Sequence, residues 1–378
     1  MSSINLLVSG DFCPQGKVSE FISMGKYEKF EGELCEEIKR ADISVVNLEA
    51  PIVGRYSPSP ILKHGPNLKA PDNTLKALEY MGFNMVTLAN NHILDYGEEG
   101  LNNTICQLDK TSLKYVGAGK SLEEAQKTTY VDVKGEKLAF INCCEHEYSI
   151  ASDHSSGANP LNPIRQYYDI SEAKRKADYV IVIVHGGIEN YQLPSLRMKE
   201  TYRFFIDSGA DVVINHHQHC YSGYETYKGK LIFYGLGNFC FDWPNMLPSW
   251  YEGIIPIITL DDELSFRLIP YYQCKDNVIR IMNSYEEEAF RGRLDELNAI
   301  IGDNQKLKSF HTELMDRTMD NYEFILSPYS ISYTIRLFKK KLLPSFFRKR
   351  KWVWLQSAIQ CESHYERFLY MVNKKVKQ

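Results

Sequence analysis

The stretch DVVINHHQHC places three imidazoles within four positions, at His216, His217 and His219, directly behind a run of apolar residues. The whole chain holds only ten histidines, so the crowding calls for a chemical reason. His217 and His219 are two apart. On a strand they share a face, and in a turn they can converge on one ion. Imidazole suits zinc, iron and manganese, whereas carboxylate and amide oxygens suit harder divalent ions. Oxygen donors recur at the ends of other apolar runs. Asp11 closes INLLVSGD, Asn47 and Glu49 close ADISVVNLE, Asn90, Asn91 and His92 follow MVTLA, and His185 closes DYVIVIVH. Asp11, Glu49, Asn91, His185, His217 and His219 make a mixed donor set with too many groups for one tetrahedral zinc. The set suits two divalent ions bridged by a shared carboxylate, about 3.5–4 Å apart, clamping an attacking and a leaving oxygen. Taken singly, each residue has a plainer reading: helix caps for Asp11 and Glu49, a turn for Asn90 and Asn91, surface loops for the histidines. Turn chemistry alone does not explain five run ends of the same character.

The elements that must position these groups are legible as strands and helices. The apolar runs are rich in Val and Ile and continuous rather than alternating, as expected of strands covered on both faces. LKALEYMGFNMVTLA reads as helix, glycine turn and strand. EAKRKADYVIVIVH and TYRFFIDSGADVVINH repeat the layout, and KLIFYGLGNFCFD and IIPIITLDDELSFRLIPYY read as further strands. Strands alternating with helices predict an α/β fold. In such folds ligands bind beyond the carboxyl ends of the strands, where the candidate residues fall. From about residue 280 the β-branched runs cease and helical spacing takes over, which predicts a main domain over 1–280 and a helical, basic extension over 281–378.

The chain resembles the CapA family of capsule and poly-γ-glutamate biosynthesis proteins, which share the calcineurin-like metallophosphoesterase fold. The resemblance runs in order through SGDF, ADISVVNLEAPI, LKALEYMGFNMVTLANNHILDYGEEGL, VGAGKSLEEAQ, DYVIVIVHGGIENYQLPS, FFIDSGADVVINHHQH and KLIFYGLGNFCFD, over about residues 4 to 270. It implies a four-layer α/β/β/α sandwich with a helical C-terminal extension. It implies that Asp11 binds one metal, that Glu49 bridges, and that Asn91, His185, His217 and His219 complete the ligands. His92 would face the scissile bond as proton donor or charge stabiliser, with Asp95 fixing its tautomer, and His216 and Asn47 would stand behind the ligands beside Asn90. The fold's usual Asp-x-His reads Asp11-Phe12-Cys13 here, so Cys13 stands where a histidine ligand is expected. The usual aromatic wall after His185 is absent, while Glu189 remains. The segment ILKHGPNLKAP places Lys63 and His64 where an anionic substrate would bind, its plainer reading being a solvated loop. Tyr148 and Arg165 fall in a connection that reads as a lid.

Two functional readings follow. The first is a metal-dependent hydrolase using two divalent ions (Mn, Fe, Zn or Mg) on a phosphoester or an amide-linked anionic polymer, in capsule or poly-γ-glutamate metabolism. The second is a non-catalytic accessory protein that binds an anionic polymer or lipid-linked precursor beside a polymer synthase. A net charge of -4 gives no reason to expect nucleic acid. No secretory leader, spanning run or disulfide spacing is visible, so the expectation is a cytoplasmic protein. From Arg336 onward twelve Lys and Arg face two acidic residues, interleaved with Phe, Leu and Trp. That mixture predicts either a helical cap on the main domain, the favoured reading, or peripheral contact with an anionic membrane through 336–355.

Overall fold

Alternate residues of the central strands serve different layers. On β1 (Ile4–Cys13), Leu6 and Val8 face one way and Leu7 the other, and all three are fully buried. A computed structural model describes residues 3–53, 58–275, 278–326, 339–340 and 349–376. In it β1 lies at the centre of an eight-stranded sheet. Parallel neighbours β2 (Ile43–Leu48), β3 (Met85–Thr87) and β4 (Lys114–Val116) run to one side. To the other side lie antiparallel β14 (Glu252–Leu260), β15 (Ser265–Lys275) and β16 (Val278–Ile281). The end of β1 also pairs in parallel with β13 (Asn238–Phe241). The second sheet has six strands. Its parallel core is β7 (Glu136–Cys144), β9 (Tyr179–His185), β10 (Val212–His216) and β12 (Lys230–Phe233). Antiparallel β6 (Thr129–Val133) and β11 (Tyr224–Tyr227) form its edges, and β5 (Ala118–Gly119) pairs separately with β8 (Gly157–Ala158).

Leu6, Val8 and Val45 of the first sheet meet Phe140, Ile181, Ile183 and Ile214 of the second in one buried cluster. On the outer side of the first sheet, Leu7, Val46 and Val86 pack on Ile22, Ile38, Leu78 and Leu101 of four helices. Outside the second, Ile141, Val182 and Val213 pack on Ile170, Tyr202 and Phe205 of the helices Pro163–Lys176 and Leu196–Asp207. The result is the four-layer α/β/β/α sandwich, and continuous burial of the central strands explains why their sequences do not alternate.

One close approach fixes the register at the functional end. A Cβ at Gly10 would lie 1.8 Å from the carbonyl oxygen of Gly237, so only glycine lets β1 and β13 meet there. That approach sets Asp11 beside Asn238, and the Asp11 N–H donates to the Gly237 carbonyl at 3.3 Å. Gly10→Ala is therefore expected to destabilise the chain by about 2–3 kcal/mol or more, read as a lowered urea midpoint at unchanged slope.

After β16 the described residues are helical apart from short turns. Helix Ser284–Gly302 starts with a capping box between Asn283 and Glu286 and drives Phe290 and Leu294 into the inter-sheet cluster. Helices Asn304–Leu326, Lys349–Gln360 and Glu362–Val376 follow, with Ala358 and Met371 at the heart of a small core of their own. Of the basic segment 336–355, residues 336–338 and 341–348 lie outside the described residues. In its described part Trp354 stacks on His64 at 4.3 Å between ring centroids, while Trp352 is 52% exposed. No helix among the described residues is long and apolar enough to cross a membrane.

Candidate metal centre

The carboxyl ends of β1, β2, β3, β9 and β10 deliver their polar residues to one place. Asn47 is the hub behind them. Its amide nitrogen donates to Asp11 Oδ1 at 2.7 Å and lies 3.3 Å from His185 Nδ1. Its carbonyl oxygen accepts from Thr87 and Asn90. Asn90 also donates to the Leu48 carbonyl and accepts from the His92 N–H, which shapes the turn after β3. Asn91 thereby reaches His185 Nε2 through its carbonyl oxygen at 3.1 Å.

His217 and His219 follow β10 with φ of +90° and +55°, a left-handed stretch that non-glycine residues adopt at a cost of about 1–3 kcal/mol each. The reversal turns both rings inward. His217 Nδ1 lies 3.1 Å from His185 Nε2, and its backbone N–H donates to Asp11 Oδ2. His219 Nδ1 lies 2.9 Å from the Asn238 carbonyl oxygen, so it carries the proton and leaves Nε2 a lone pair on the side of Glu49, 3.7 Å away. His216, on the strand itself, points elsewhere: its Nε2 donates to the Ser9 carbonyl between the sheets.

Glu49 is wholly buried, and neither of its carboxylate oxygens has a hydrogen-bond partner. Burial, then the neighbouring Asp11 carboxylate, push its pKa well up. Burial, then the crowd of other imidazoles led by His217, push His185 well down, and burial also lowers His219. A buried carboxyl without a hydrogen bond, beside His185 and His219 whose charged forms burial disfavours, makes a site short of positive charge. Two groups of ligand atoms converge there, Asp11 with Glu49 and His219, and Glu49 with His185 and His217, each within 4.8 Å, and Glu49 belongs to both. The chain thus holds candidate metal-binding groups built from the residues singled out in the sequence, and their donor chemistry fits divalent cations.

Cys13 is not among them. It is buried in the apolar cluster with Phe12 and Phe241, and Gln15 reaches its sulfur at 3.5 Å. Beside the centre, His92 Nδ1 lies 2.6 Å from Asp95 Oδ2 and 3.0 Å from Lys63 Nζ, and Lys63 pairs with Asp95 Oδ1. Lys63 is thus buried against Asp95 rather than solvated. A cavity of about 480 Å³ opens over the centre, walled in part by Asn91, His92, Glu189 and His217. Tyr148 lines it too, whereas Arg165 stays on its helix in an ion pair with Asp169.

Several residues escaped the sequence reading. Glu147 accepts from the Asn91 amide at 2.9 Å. It follows the end of β7, so the strand-end criterion applied to CCEHEY would have found it. Asn238 lies in the LGNF segment. Trp354, His364 and Arg367 reach the cavity from the C-terminal helices, and nothing in their local sequence announces that.

The pattern of the bacterial capsule synthesis protein PGA_cap family matches residues 5–243. The capsule biosynthesis protein CapA of Bacillus anthracis is 36% identical over 182 residues, 47% of this chain and 44% of that protein. The PGA biosynthesis protein CapA of Bacillus subtilis strain 168 is 37% identical over 179 residues, 47% of each chain. A probable polyglutamine synthesis accessory protein of Mycobacterium tuberculosis is 28% identical over 229 residues, 56% of this chain and 57% of that one. The chain spans about half the length of these curated relatives. The solved 5'-nucleotidase precursor from Thermus thermophilus aligns with 79% of this chain and 60% of its own, at TM-score 0.41 and 13% identity. With its pattern matched across β1 through β13 and Asp11, Glu49, Asn91, His185, His217 and His219 gathered at one end of the sandwich, the chain belongs to the bacterial capsule synthesis protein PGA_cap family.

Proposed function

We propose that the chain is a metal-dependent hydrolase acting on an anionic substrate of capsule or poly-γ-glutamate synthesis, a phosphoester or an amide-linked polymer. The observation that carries this reading is the Glu49 carboxylate, buried, unpaired and common to both ligand groups. Asp11, Glu49 and His219 would hold one divalent ion, and Glu49, Asn91, His185 and His217 a second. Manganese, iron, zinc and magnesium all match these donors. Ions held there would supply an activated water and positive charge for the oxygens that gain charge in the transition state. The protein's own groups do the rest. With Nδ1 committed to Asp95, His92 presents Nε2 to the cavity, and in its imidazolium form, which the Asp95 carboxylate would stabilise, it gives that Nε2 proton to the leaving group and is left neutral. Asp95 fixes the ring and Lys63 fixes Asp95.

The accessory reading, in which the pocket binds an anionic chain beside a polymer synthase without turnover, draws on one observation. Cys13 contributes no ligand, which leaves Asp11, Glu49 and His219 alone on their side. Metal analysis of the purified chain, with turnover of a generic phosphodiester and of a γ-glutamyl amide in Mn²⁺, separates the two. Bound metal and turnover, both lost in His217→Ala, are expected. Wild-type protein that binds Mn²⁺ yet turns over neither substrate leaves the accessory reading standing and removes the hydrolase.

A further inference from the structure

Three side chains at the cavity wall, Trp354, His364 and Arg367, come from beyond the family-matched span of residues 5–243. The helices that carry them are fastened to the strand-end face by specific pairs. Arg197 binds Glu145 at 2.5 Å and reaches Glu366 at 3.1 Å and Ser363 at 3.3 Å on the last helix. His146 bonds Glu362 through both its ring and its backbone. Cys361 and Ser363, on the side that touches the sandwich, are buried. Trp354 lies nearly parallel to His64, with 7° between the rings. A hairpin serving only to cover apolar surface would not need to aim polar side chains into a reaction pocket.

From this placement we infer that the C-terminal helices form a substrate-selecting wall of the pocket, in which Arg367 binds an oxyanion of the substrate and the Trp354–His64 stack sets the cavity's width. The inference rests on the pocket being the substrate site proposed above. Arg367 is held at the wall by two neighbours on its own helix: Nε donates to the Ser363 carbonyl, and one Nη nitrogen to His364 Nδ1 at 2.8 Å. With Nδ1 accepting, His364 carries its proton on Nε2 and gives it to Glu147 Oε1, 3.2 Å away. Glu147 in turn holds the Asn91 amide. The guanidinium is therefore oriented by a chain of bonds that ends at a proposed metal ligand. An oriented guanidinium matches the planar oxygen pairs of phosphoryl and carboxylate groups. The same bonds explain why the neighbouring Glu147, Cys361 and His364 group, whose ligand atoms also converge, is a wall and not a third metal centre. A metal on His364 Nε2 would force a proton onto Nδ1, against the Arg367 N–H.

The experiment uses the full chain, by calorimetry, with inorganic phosphate in one arm and a γ-linked glutamate oligomer in the other, each with Mn²⁺ and with EDTA. Wild type is expected to bind one of the two. Arg367→Ala should weaken that binding at least tenfold in both metal conditions, and Arg367→Lys should restore part of it. The arm whose affinity depends on Arg367 identifies the oxyanion. Trp354→Ala should change the ratio of the KM values for small and bulky phosphodiesters, and an unchanged ratio removes the stack's part in setting the width. Thermal midpoints within a few degrees of wild type show that the variants fold, and Arg367→Gln replaces any that do not. Wild-type affinity in Arg367→Ala and Arg367→Gln, or no binding of either probe by wild type, overturns the inference. Arg367-dependent binding without turnover keeps the wall and removes the hydrolase.

Discussion

Glu49→Gln will abolish the stabilisation of the fold by divalent metal and, in the same protein, make the metal-free form more stable than wild type. The two effects share one cause. Glu49 is a buried carboxylate without a hydrogen bond, so ionising it in the absence of cations is costly, as its raised pKa states. Below the ordinary glutamate value, about 4.3, the carboxyl is neutral in both folded and unfolded chains and contributes nothing. As pH rises above that value the unfolded chain releases the proton while the native state retains it, so stability is lost up to the raised folded pKa. Glutamine removes this slope. The stability advantage of Glu49→Gln in EDTA should therefore be absent at pH 4 and grow toward neutrality. With metal the order reverses. At a hundredfold excess over its dissociation constant, Mn²⁺ should stabilise wild type by about 2.7 kcal/mol, a rise of roughly 3–4 °C in the thermal midpoint. The variant, lacking the carboxylate common to both ligand groups, should show almost none of that rise, and its turnover should fall by at least about a thousandfold. Calorimetric melts of both proteins at several pH values, in EDTA and in Mn²⁺, check the whole pattern. Equal metal-induced shifts in the two proteins would remove Glu49 from the centre.

The convergence of the candidate residues was legible in the sequence because they sit on strand ends. Asp11, Glu49, Asn91, His185, His217 and His219 each follow an apolar run, and parallel strands of one sandwich bring their carboxyl ends to the same side. The helix, turn and strand of LKALEYMGFNMVTLA fold as read, over Thr74–Met81 and Met85–Thr87. What stayed hidden depends on distance in the chain. The Trp354 stack on His64 and the His364 contact with Glu147 join positions hundreds of residues apart. No periodicity records which face of a sandwich a terminal helix covers. The positive φ of His217 and His219 was equally hidden, since neither is glycine. Lys63 was open to a substrate role or a solvated loop because its own segment looks solvated. Its burial comes from Asp95, which sits in another turn.

That buried Lys63–Asp95–His92 cluster carries the second large effect. His92→Ala should leave the metal content intact, since His92 belongs to neither converging ligand group, yet lower kcat by about 10²–10⁴ if it supplies the leaving-group proton. The defect must depend on the leaving group. A nitrophenolate departs without a proton, so nitrophenyl esters should be nearly spared, while alkyl esters or amides show the full loss. A uniform loss on both would mean that His92 stabilises charge rather than donates a proton. Asp95→Asn should reproduce the dependence in weaker form. Asparagine keeps the bond geometry but no longer stabilises a protonated ring that it reaches at 2.6 Å. Lys63→Met differs in kind. It leaves Asp95, whose side chain is 0% exposed, without its ammonium partner, at a cost of roughly 3–5 kcal/mol in stability. Adding Asp95→Asn to it should recover much of that cost while leaving turnover low, which separates what the ion pair does for the fold from what the imidazole does for the reaction.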